Sequence, residues 1–391
     1  MPKDAPATTS SHVHEFDFDP DEYPWVRDHC PTYVLPALPM TYLVELLAEA
    51  ATDLAPELLA TTFRDVRAFR WLICDRPRRL RTEVTVATDH EMKVRLLADT
   101  VGRGNGWELI ATGTVELGDH WPLSPPVPPA LAEGMELRSP YQSGQLFHGL
   151  AFQYLTMLRM GAKGSSYLLD PTAGSVFTGL LNPGLLDATT HGIPHDALGQ
   201  WAPEVGTGVA SYPLSIRRLS LYGPPPTNGL VRCEARFQAM VGSAPPRVLI
   251  HIAMIHGDRL WGDLDLEEVC LPMGPLGRSK PEDRVTFLRD VRYVPGVALS
   301  HFEDSLTILD RKSVALSDWL PGTMAAVFAT TPGSDICREI AVKEHLAHQY
   351  KVHPSVVKWS ENESSAYLGT SPKPIVLSLN DDGERITIQS V

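Results

Sequence analysis

The sequence predicts an α+β fold made of two similar halves, followed by a C-terminal remainder. Each half contains one helical stretch with several strand-like runs after it, and Pro-rich breaks separate the parts. Long helices that alternate with parallel strands are missing, and no GxGxxG or GxxxxGK[ST] phosphate loop occurs. One helix wrapped by antiparallel strands, present twice, is an α+β arrangement.

Two Pro-rich breaks set the domain boundaries. The first, WPLSPPVPP at residues 121–129, must be extended because proline cannot continue a helix or a central strand. The second, LPMGPLGRSKPED, covers residues 271–283. The predicted parts are a flexible tail (1–14), an N-terminal half (15–125), a Pro-rich linker (126–137), a C-terminal half (138–275) and a C-terminal appendage (276–391).

Hydrophobic periodicity places one helix in each half. Residues 39–53 carry apolar side chains at helical spacing, which is enough for one buried face. The second helix candidate covers residues 183–193. The strand-like runs are 68–74, 81–87, 91–98 and 107–117 in the N-terminal half, and 212–222, 231–240 and 248–256 in the C-terminal half.

Composition argues against several function classes. The 34 Lys and Arg against 47 Asp and Glu give a net charge of −13, so no overall basic field is available for nucleic acid or an anionic membrane. No run approaches the roughly 18 apolar residues of a membrane span, and the N-terminus lacks the apolar core of a signal peptide. The five cysteines form no CxxC pair, which indicates free thiols in a reducing cytoplasm and no zinc site.

His29 is the first candidate for chemistry. It lies in DHCPTYVLPALP, just before the first helix, where Pro31, Pro36 and Pro39 stiffen the turns. Because histidine titrates near neutral pH, a rigidly held His29 suits a general base. The residues alone also allow a structural histidine that hydrogen-bonds within a turn.

Asp187 and His191, in LNPGLLDATTH, form the second candidate. Their i, i+4 spacing places both side chains on one helix face, close enough to hydrogen-bond. The apolar pair Leu185 and Leu186 directs this helix into the core, so burial is expected to raise the pKa of the Asp187 carboxyl and let it hold a proton. An ordinary surface pair with the same spacing is the alternative.

The stretch LFHGLAFQ, residues 146–153, is the third candidate. Gly149 between two aromatic residues predicts a tight backbone bend, with Phe147 and Phe152 packing on opposite sides. His148 is able to face a pocket, although a turn that fills the core is the simpler interpretation. The other histidines show no metal-ligand spacing, and no GxSxG or nucleophilic cysteine signature occurs. We therefore predict a metal-free acid–base pair drawn from the two halves.

These stretches follow the motif order of a known family. LFHGLAFQ resembles the xHGPxFQ stretch of polyketide synthase dehydratase domains, and LNPGLLDATTH resembles their HPxLLDxxxQ/H motif. YPLSIRRLSLY at residues 212–222 resembles their LPxSxxxxxLY strand, and DHCPTYVLP resembles their HxxxGxxxxP motif. The four matches frame residues 15–275 and are specific only in combination.

The resemblance implies a double hotdog, in which two helix-in-sheet halves pack side by side. It also implies removal of water from a 3-hydroxyacyl chain on an acyl carrier protein. In that reaction His29 would abstract the C2 proton, Asp187 would protonate the departing hydroxyl, and His191 would orient Asp187. The substrate-binding residues implied by the resemblance are Tyr33, Pro36, His148, Gly149, Phe152 and Leu186.

The same resemblance implies the partners and the cofactor requirement. The substrate would arrive on the phosphopantetheine arm of the carrier protein, and the reaction would need no metal or other cofactor. The chain would work beside other domains of a larger synthase, and a homodimer is left open. An acidic carrier would need a local basic patch, for which the sequence offers two clusters: Arg76, Arg78, Arg79 and Arg81, and Arg217 with Arg218. We interpret the first cluster as solubilising surface.

The sequence departs from the family pattern beside the base. Tyr33 stands where glycine is usual and Pro36 arrives two residues early, which predicts a shorter and bulkier turn after His29. Asn182 replaces the histidine that usually opens the acid motif. Two alternatives therefore keep the fold and change the function: a product-template-like cyclase or isomerase, and a non-catalytic assembly domain.

The C-terminal remainder points to a subtype. ICREIAVKEHLAHQY, residues 336–350, resembles the R-x-A-x-K-[DE] helix of 4′-phosphopantetheinyl transferase domains. Such a domain follows the dehydratase in enediyne-type and polyunsaturated-fatty-acid-type synthases. The transferase's acidic metal-binding motif is missing, so we expect no transferase activity. The alternative is a helical appendage that packs against the dehydratase.

Overall fold

The computed structural model contains a twelve-stranded antiparallel sheet and a separate six-stranded sheet. It describes residues 11–31, 36–74, 77–99, 106–243 and 245–272, and from the C-terminal segment residues 300–302, 306–310, 342, 346, 349–350, 357–360, 365–369, 371–381 and 385–390. Within these residues, no helix has the length and apolar character needed to cross a membrane.

The N-terminal half consists of five strands and one α-helix as far as the structure describes it. The helix, α1, spans Met40–Thr52 and confirms the predicted helix to within one residue at each end. A 3₁₀ turn at Pro24–Asp28 precedes it. The strands are β1 (Ser11–Phe18), β2 (Leu59–Ala68), β3 (Arg78–Thr88), β4 (Glu91–Asp99) and β5 (Trp107–Gly118).

Two predictions for this half are wrong. Residues 11–14 belong to β1 and not to a flexible tail. The first residues of β1 are exposed to solvent, so the sequence shows no apolar alternation that would have predicted a strand there. Of the strand predicted at 68–74, only Ala68 lies in a strand, as the last residue of β2. The chain leaves the sheet there, and Arg70 and Trp71 line a cavity. Residues 1–10 of the predicted tail lie outside the described part of the chain.

The C-terminal half has the same plan. Its helix, α2, spans Pro183–Ala188 and is shorter than predicted, because the chain continues through tight turns from Thr189 to Ile193. Further 3₁₀ turns lie at Leu150–Phe152, Leu198–Gln200 and Pro203–Val205. The strands are β6 (Met135–Leu137), β7 (Leu155–Gly161), β8 (Gly164–Leu169), β9 (Val209–Leu221), β10 (Val231–Ser243), β11 (Pro246–His256) and β12 (Arg259–Pro272). The segment predicted as linker thus ends in an edge strand, β6.

One continuous sheet joins the halves. Its strand order is β1-β3-β4-β5-β2-β9-β12-β11-β10-β8-β7-β6, so β2 and β9 form the seam, with Phe63 opposite Leu219. The helix α1 packs on β2–β5 and against α2. The main apolar core runs through both halves. Residues from the two halves are therefore held rigidly beside each other at the helices.

The smaller sheet belongs to the C-terminal segment. Val342 and Leu346, within the predicted transferase-like helix, are helical and buried. Lys358 contacts Asp21 of the N-terminal half, with 2.9 Å between Nζ and Oδ2. The strands of the smaller sheet are β13 (Ser300–Phe302), β14 (Leu306–Asp310), β15 (Val357–Ser360), β16 (Ser365–Leu368), β17 (Ile375–Asp381) and β18 (Arg385–Ser390). Their order in the sheet is β13-β14-β18-β17-β16-β15.

A buried carboxylate ties α1 to the start of α2. The Glu45 side chain accepts hydrogen bonds from the backbone N–H groups of Leu180 and Leu181, the latter at 2.9 Å. Asn182 follows in the left-handed conformation and caps α2, because its side-chain oxygen accepts from the N–H of Leu185 at 3.1 Å. Glu45 therefore fixes where the helix of the other half begins.

Replacing Glu45 with alanine is expected to lower the free energy of unfolding by about 2 kcal/mol, since each buried N–H left without a partner costs about 1–3 kcal/mol. Urea unfolding followed by circular dichroism measures the change. Glu49→Ala on the same helix is the control, because burial raises the pKa of Glu49 to about 7 and its removal is expected to cost little. Equal losses in the two variants would contradict the role of Glu45.

Candidate active site

His29 lies directly after the first 3₁₀ turn and is buried. Its Nδ1 is 2.6 Å from the carbonyl oxygen of Ala37. A carbonyl oxygen only accepts, so Nδ1 carries the hydrogen and Nε2 keeps a free lone pair. Burial lowers the pKa of His29, which keeps the ring neutral near pH 7 although the Asp187 carboxylate opposes the shift. His29 is therefore oriented as a base.

Hydrogen bonds join the turn that contains His148 to the turn that contains His29. The two histidines form an antiparallel bridge, and the N–H of Gly149 donates to the carbonyl of Asp28 at 2.8 Å. The Asp28 carboxylate accepts from the N–H of Ala151, also at 2.8 Å. The backbone at Gly149 has a φ of −72°, which any residue can adopt. The backbone flexibility from which the bend was predicted is therefore not the reason for a glycine at this position. A Cβ at this position would lie 2.5 Å from the Asp28 carboxyl carbon, so close approach requires the glycine.

Asp187 lies between two imidazoles. Its Oδ2 is 3.2 Å from Nε2 of His148 and 3.2 Å from Nε2 of His191. Burial raises the pKa of Asp187, but the two hydrogen bonds more than offset burial and hold the pKa below its usual value. This reverses the shift expected from the sequence, where His148 was not recognised as a partner. Asp187 is ionised in the unliganded protein.

The hydrogen-bond partners also set the tautomers of these histidines. Because the Asp187 carboxylate only accepts, His148 and His191 each carry a hydrogen on Nε2. His191 Nδ1 then accepts from the hydroxyl of Tyr141, 2.6 Å away. His148 Nδ1 has no hydrogen-bond partner among the described residues. Burial lowers the pKa of both rings, so the cluster is one carboxylate with two neutral imidazoles.

The cluster opens into a cavity with largely apolar walls. His29, His148 and Asp187 line one part of it, together with Trp71 and Phe147. The Phe147 ring lies 5.1 Å from that of His29 and stacks on His148 at 4.2 Å between centroids. An apolar surrounding of this kind strengthens electrostatic effects at the acid and the base. A base and a carboxylate from different halves thus face the same cavity.

The other residues implied by the resemblance have varied positions. His191 lies behind Asp187, outside the cavity lining. Tyr33 lies outside the described residues. Pro36, Gly149, Phe152 and Leu186 are buried but do not line the cavity. Sequence reasoning missed Tyr141, for which no local motif exists, and Asp28, whose only signal is its place next to His29.

Three of these side chains are also suitable metal ligands. His29, His148 and Asp187 each offer one ligand atom, and these atoms lie within 4.8 Å of one another. Zinc with nitrogen and oxygen ligands at about 2.0–2.2 Å would need them roughly 3.5 Å apart, and His148 Nε2 would have to lose its hydrogen. A metal bound there would therefore replace the hydrogen bond that His148 Nε2 donates to Asp187 Oδ2.

Comparison with solved structures finds polyketide synthase dehydratase domains. The dehydratase domain of PpsC from Mycobacterium tuberculosis is similar with a TM-score of 0.54 and 21% identity, covering 68% of this chain and 95% of that one. The dehydratase domain of the CurJ module of the curacin polyketide synthase has a TM-score of 0.53 and 16% identity, covering 69% of this chain and 95% of that one. The dehydratase domain of the CurH module of the same synthase has a TM-score of 0.52 and 19% identity, covering 68% of this chain and 94% of that one. No protein-family model and no curated protein matches the chain.

These similarities, at about one-fifth identity or less, concern the fold. They agree with the two halves described above, each a helix held by an antiparallel sheet and joined through β2 and β9. The predicted double hotdog is confirmed. The enediyne or polyunsaturated-fatty-acid subtype and the transferase-like C-terminus stay predictions.

Proposed function

We propose that the chain is a dehydratase that removes water from a 3-hydroxyacyl chain carried on an acyl carrier protein. The observation that carries the proposal is the pairing of His29 Nε2, a free buried lone pair, with the Asp187 carboxylate in one cavity. The two residues come from different halves, and their ligand atoms lie within 4.8 Å of each other, which is close enough for the two groups to act on neighbouring carbons of one chain. The similarity to dehydratase domains supports the same reaction.

In the proposed reaction, His29 Nε2 takes the proton from C2, next to the thioester carbonyl. The C2–H electron pair forms the C2=C3 double bond while the C3–O bond breaks and its pair stays on oxygen. The Asp187 carboxyl donates a proton to that oxygen, which leaves as water. Return of the proton from His29 to Asp187 restores the starting state. One base and one acid therefore suffice.

The acid must first take up a proton, because Asp187 is ionised in the unliganded protein. Both imidazoles contact Oδ2, which leaves Oδ1 of this cavity-lining residue as the oxygen that can hold the proton. An apolar acyl chain that fills the cavity would displace water from Oδ1, and desolvation favours the neutral carboxyl. His191 and Tyr141 hold the carboxyl in place throughout.

The carrier-protein partner rests on the resemblance and on the reaction, since most of the described arginines in the two clusters are already paired with carboxylates. Arg78 is buried and contacts Asp99 at 3.0 Å, and Arg217 contacts Glu267 at the same distance. Arg79 contacts Glu15. Arg76 lies outside the described residues. We propose the carrier protein and the neighbouring synthase domains as partners, in the cytoplasm, with phosphopantetheine as the only prosthetic group involved.

The test is mass spectrometry of a 3-hydroxyacyl pantetheine or carrier-protein thioester incubated with the purified chain. We expect the mass of one water to be lost and a 2-enoyl thioester to form. An isomerase would leave the mass of an enoyl thioester unchanged and move its double bond, so enoyl substrates are included. A folded protein that removes no water from any of several chain lengths would overturn the proposal.

A further inference from the structure

A second group of polar side chains lines the same cavity beyond Asp187. Thr190, His195 and Ser211 face it, and Glu268 on β12 lies behind His195. The distance from His195 Nδ1 to Glu268 Oε1 is 3.4 Å, and the Glu268 side chain is completely buried. The proposed acid–base reaction uses none of these residues.

The hydrogen bonds of His195 depend on its charge. Its Nε2 is 3.1 Å from the carbonyl oxygen of Thr190 and must carry a hydrogen, while its Nδ1 is 3.1 Å from the hydroxyl oxygen of Ser211. Burial lowers the pKa of His195, but Glu268 more than offsets burial and raises the pKa above its usual value. The charged ring donates from Nδ1 to Ser211 Oγ. The hydrogen of Ser211 is then free to point elsewhere.

Glu268 is the group that holds this charge. Neither of its carboxylate oxygens has a hydrogen-bond partner among the described residues. A buried carboxylate of that kind is costly unless a positive charge lies beside it, and His195 is in that position. Ser211 is fixed from the other side, since its backbone N–H donates to the His195 carbonyl at 2.8 Å.

We propose that Ser211, oriented by the His195–Glu268 pair, donates a hydrogen bond to an acceptor oxygen of the substrate outside its reacting C2–C3 unit. That oxygen is either a keto or hydroxyl oxygen on the acyl chain or a carbonyl oxygen of the pantetheine arm. The inference rests on the proposed function for the statement that the cavity holds an acyl thioester. It adds a specificity site that the dehydration itself does not require.

The experiment measures binding by calorimetry, with thioesters that carry no 3-hydroxyl and so cannot be dehydrated. One arm compares hexanoyl with 4-oxohexanoyl and 5-oxohexanoyl chains on N-acetylcysteamine. The other compares hexanoyl-pantetheine with S-butyl thiohexanoate. Ser211→Ala is compared with Ser215→Ala, the same change on the same strand at a residue that does not line the cavity.

We expect the wild type and Ser215→Ala to prefer the oxygen-bearing ligand of one arm by about 2- to 10-fold, as for one hydrogen bond, and Ser211→Ala to lose the preference. If Ser211→Ala loses the preference in the first arm, the bound oxygen lies on the acyl chain. If it loses the preference in the second arm, the bound oxygen lies on the pantetheine. The Glu268→Gln variant, which keeps the Ser211 hydroxyl, should also lose this preference for the oxygen-bearing ligand. Without the Glu268 charge His195 is neutral, and its Nδ1 then accepts the hydrogen of Ser211.

Equal preferences in Ser211→Ala and Ser215→Ala, or no preference in the wild type, would overturn the proposal. Circular dichroism confirms that each variant is folded. Because the ligands do not react, the result is independent of turnover. A chain that fails to dehydrate yet loses its preference through Ser211→Ala would refute the proposed function and leave this site standing.

Discussion

Replacing His29 with glutamine is expected to reduce kcat/KM for dehydration by about 10³-fold, within the range that a positioned general base contributes. Glutamine is polar and similar in length to histidine, although its amide nitrogen takes the place of Nε2 and not of Nδ1, which lies 2.6 Å from the Ala37 carbonyl oxygen in the wild type. It has no basic nitrogen to take the C2 proton. Initial rates of enoyl thioester formation, followed by mass spectrometry, measure the loss.

The control is His90→Gln, which changes an exposed histidine that does not line the cavity and is expected to leave the rate unchanged. A His29→Gln variant that is folded and within threefold of the wild type would remove His29 from the mechanism. The shorter and bulkier turn that the sequence predicts after His29 would then be the first place to look for a misplaced base.

The wild-type pH profile checks the same role. Burial lowers the pKa of His29 below its ordinary 6.5, so the protonated and inactive ring forms only as the pH falls below that value. We therefore expect kcat, which reports the substrate-bound enzyme with Asp187 already protonated, to hold at neutral pH and to fall on the acid side with a midpoint below 6.5. A midpoint above 6.5 would mean that a different group limits the reaction.

Much of the fold could be predicted from local patterns. The apolar spacing of α1 and the alternation in β3, β4 and β5 are strong signals, because each element buries one face against the same core. The start of β1 is exposed and the six residues of α2 are buried throughout, so neither shows a clear period. The sequence misjudged the bounds of both elements, as it did for β2, which ends where the predicted run 68–74 begins.

The site was only half predictable for a related reason. His29 and Asp187 stand in recognisable motifs, but the groups that set their properties come from distant parts of the chain. Tyr141 reaches His191 across 50 residues, and His148 reaches Asp187 from a different turn. Spacing within one helix cannot show such partners. The expected direction of the Asp187 pKa was wrong because burial was visible in the sequence and the second imidazole was not.

Replacing Asp187 with asparagine is expected to reduce dehydration by about 10³-fold, because the amide cannot supply a proton to the departing hydroxyl. The amide oxygen can still accept one of the two N–H bonds that Oδ2 receives, at 3.2 Å each. The variant should therefore fold, with some loss of stability. The same mass-spectrometric assay measures the rate.

A substrate with a different leaving group separates the acid from the base. Chloride departs from a 3-chloroacyl thioester without protonation, so elimination of hydrogen chloride needs a base at C2 and no acid at C3. We expect Asp187→Asn to retain most of the wild-type rate above background with this substrate, and His29→Gln to lose it. Equal loss in both variants would show that Asp187 acts on the position or basicity of His29 instead of protonating the leaving group. Loss restricted to the hydroxyl substrate in Asp187→Asn would assign proton donation to that carboxyl, because only the need for an acid differs between the two substrates.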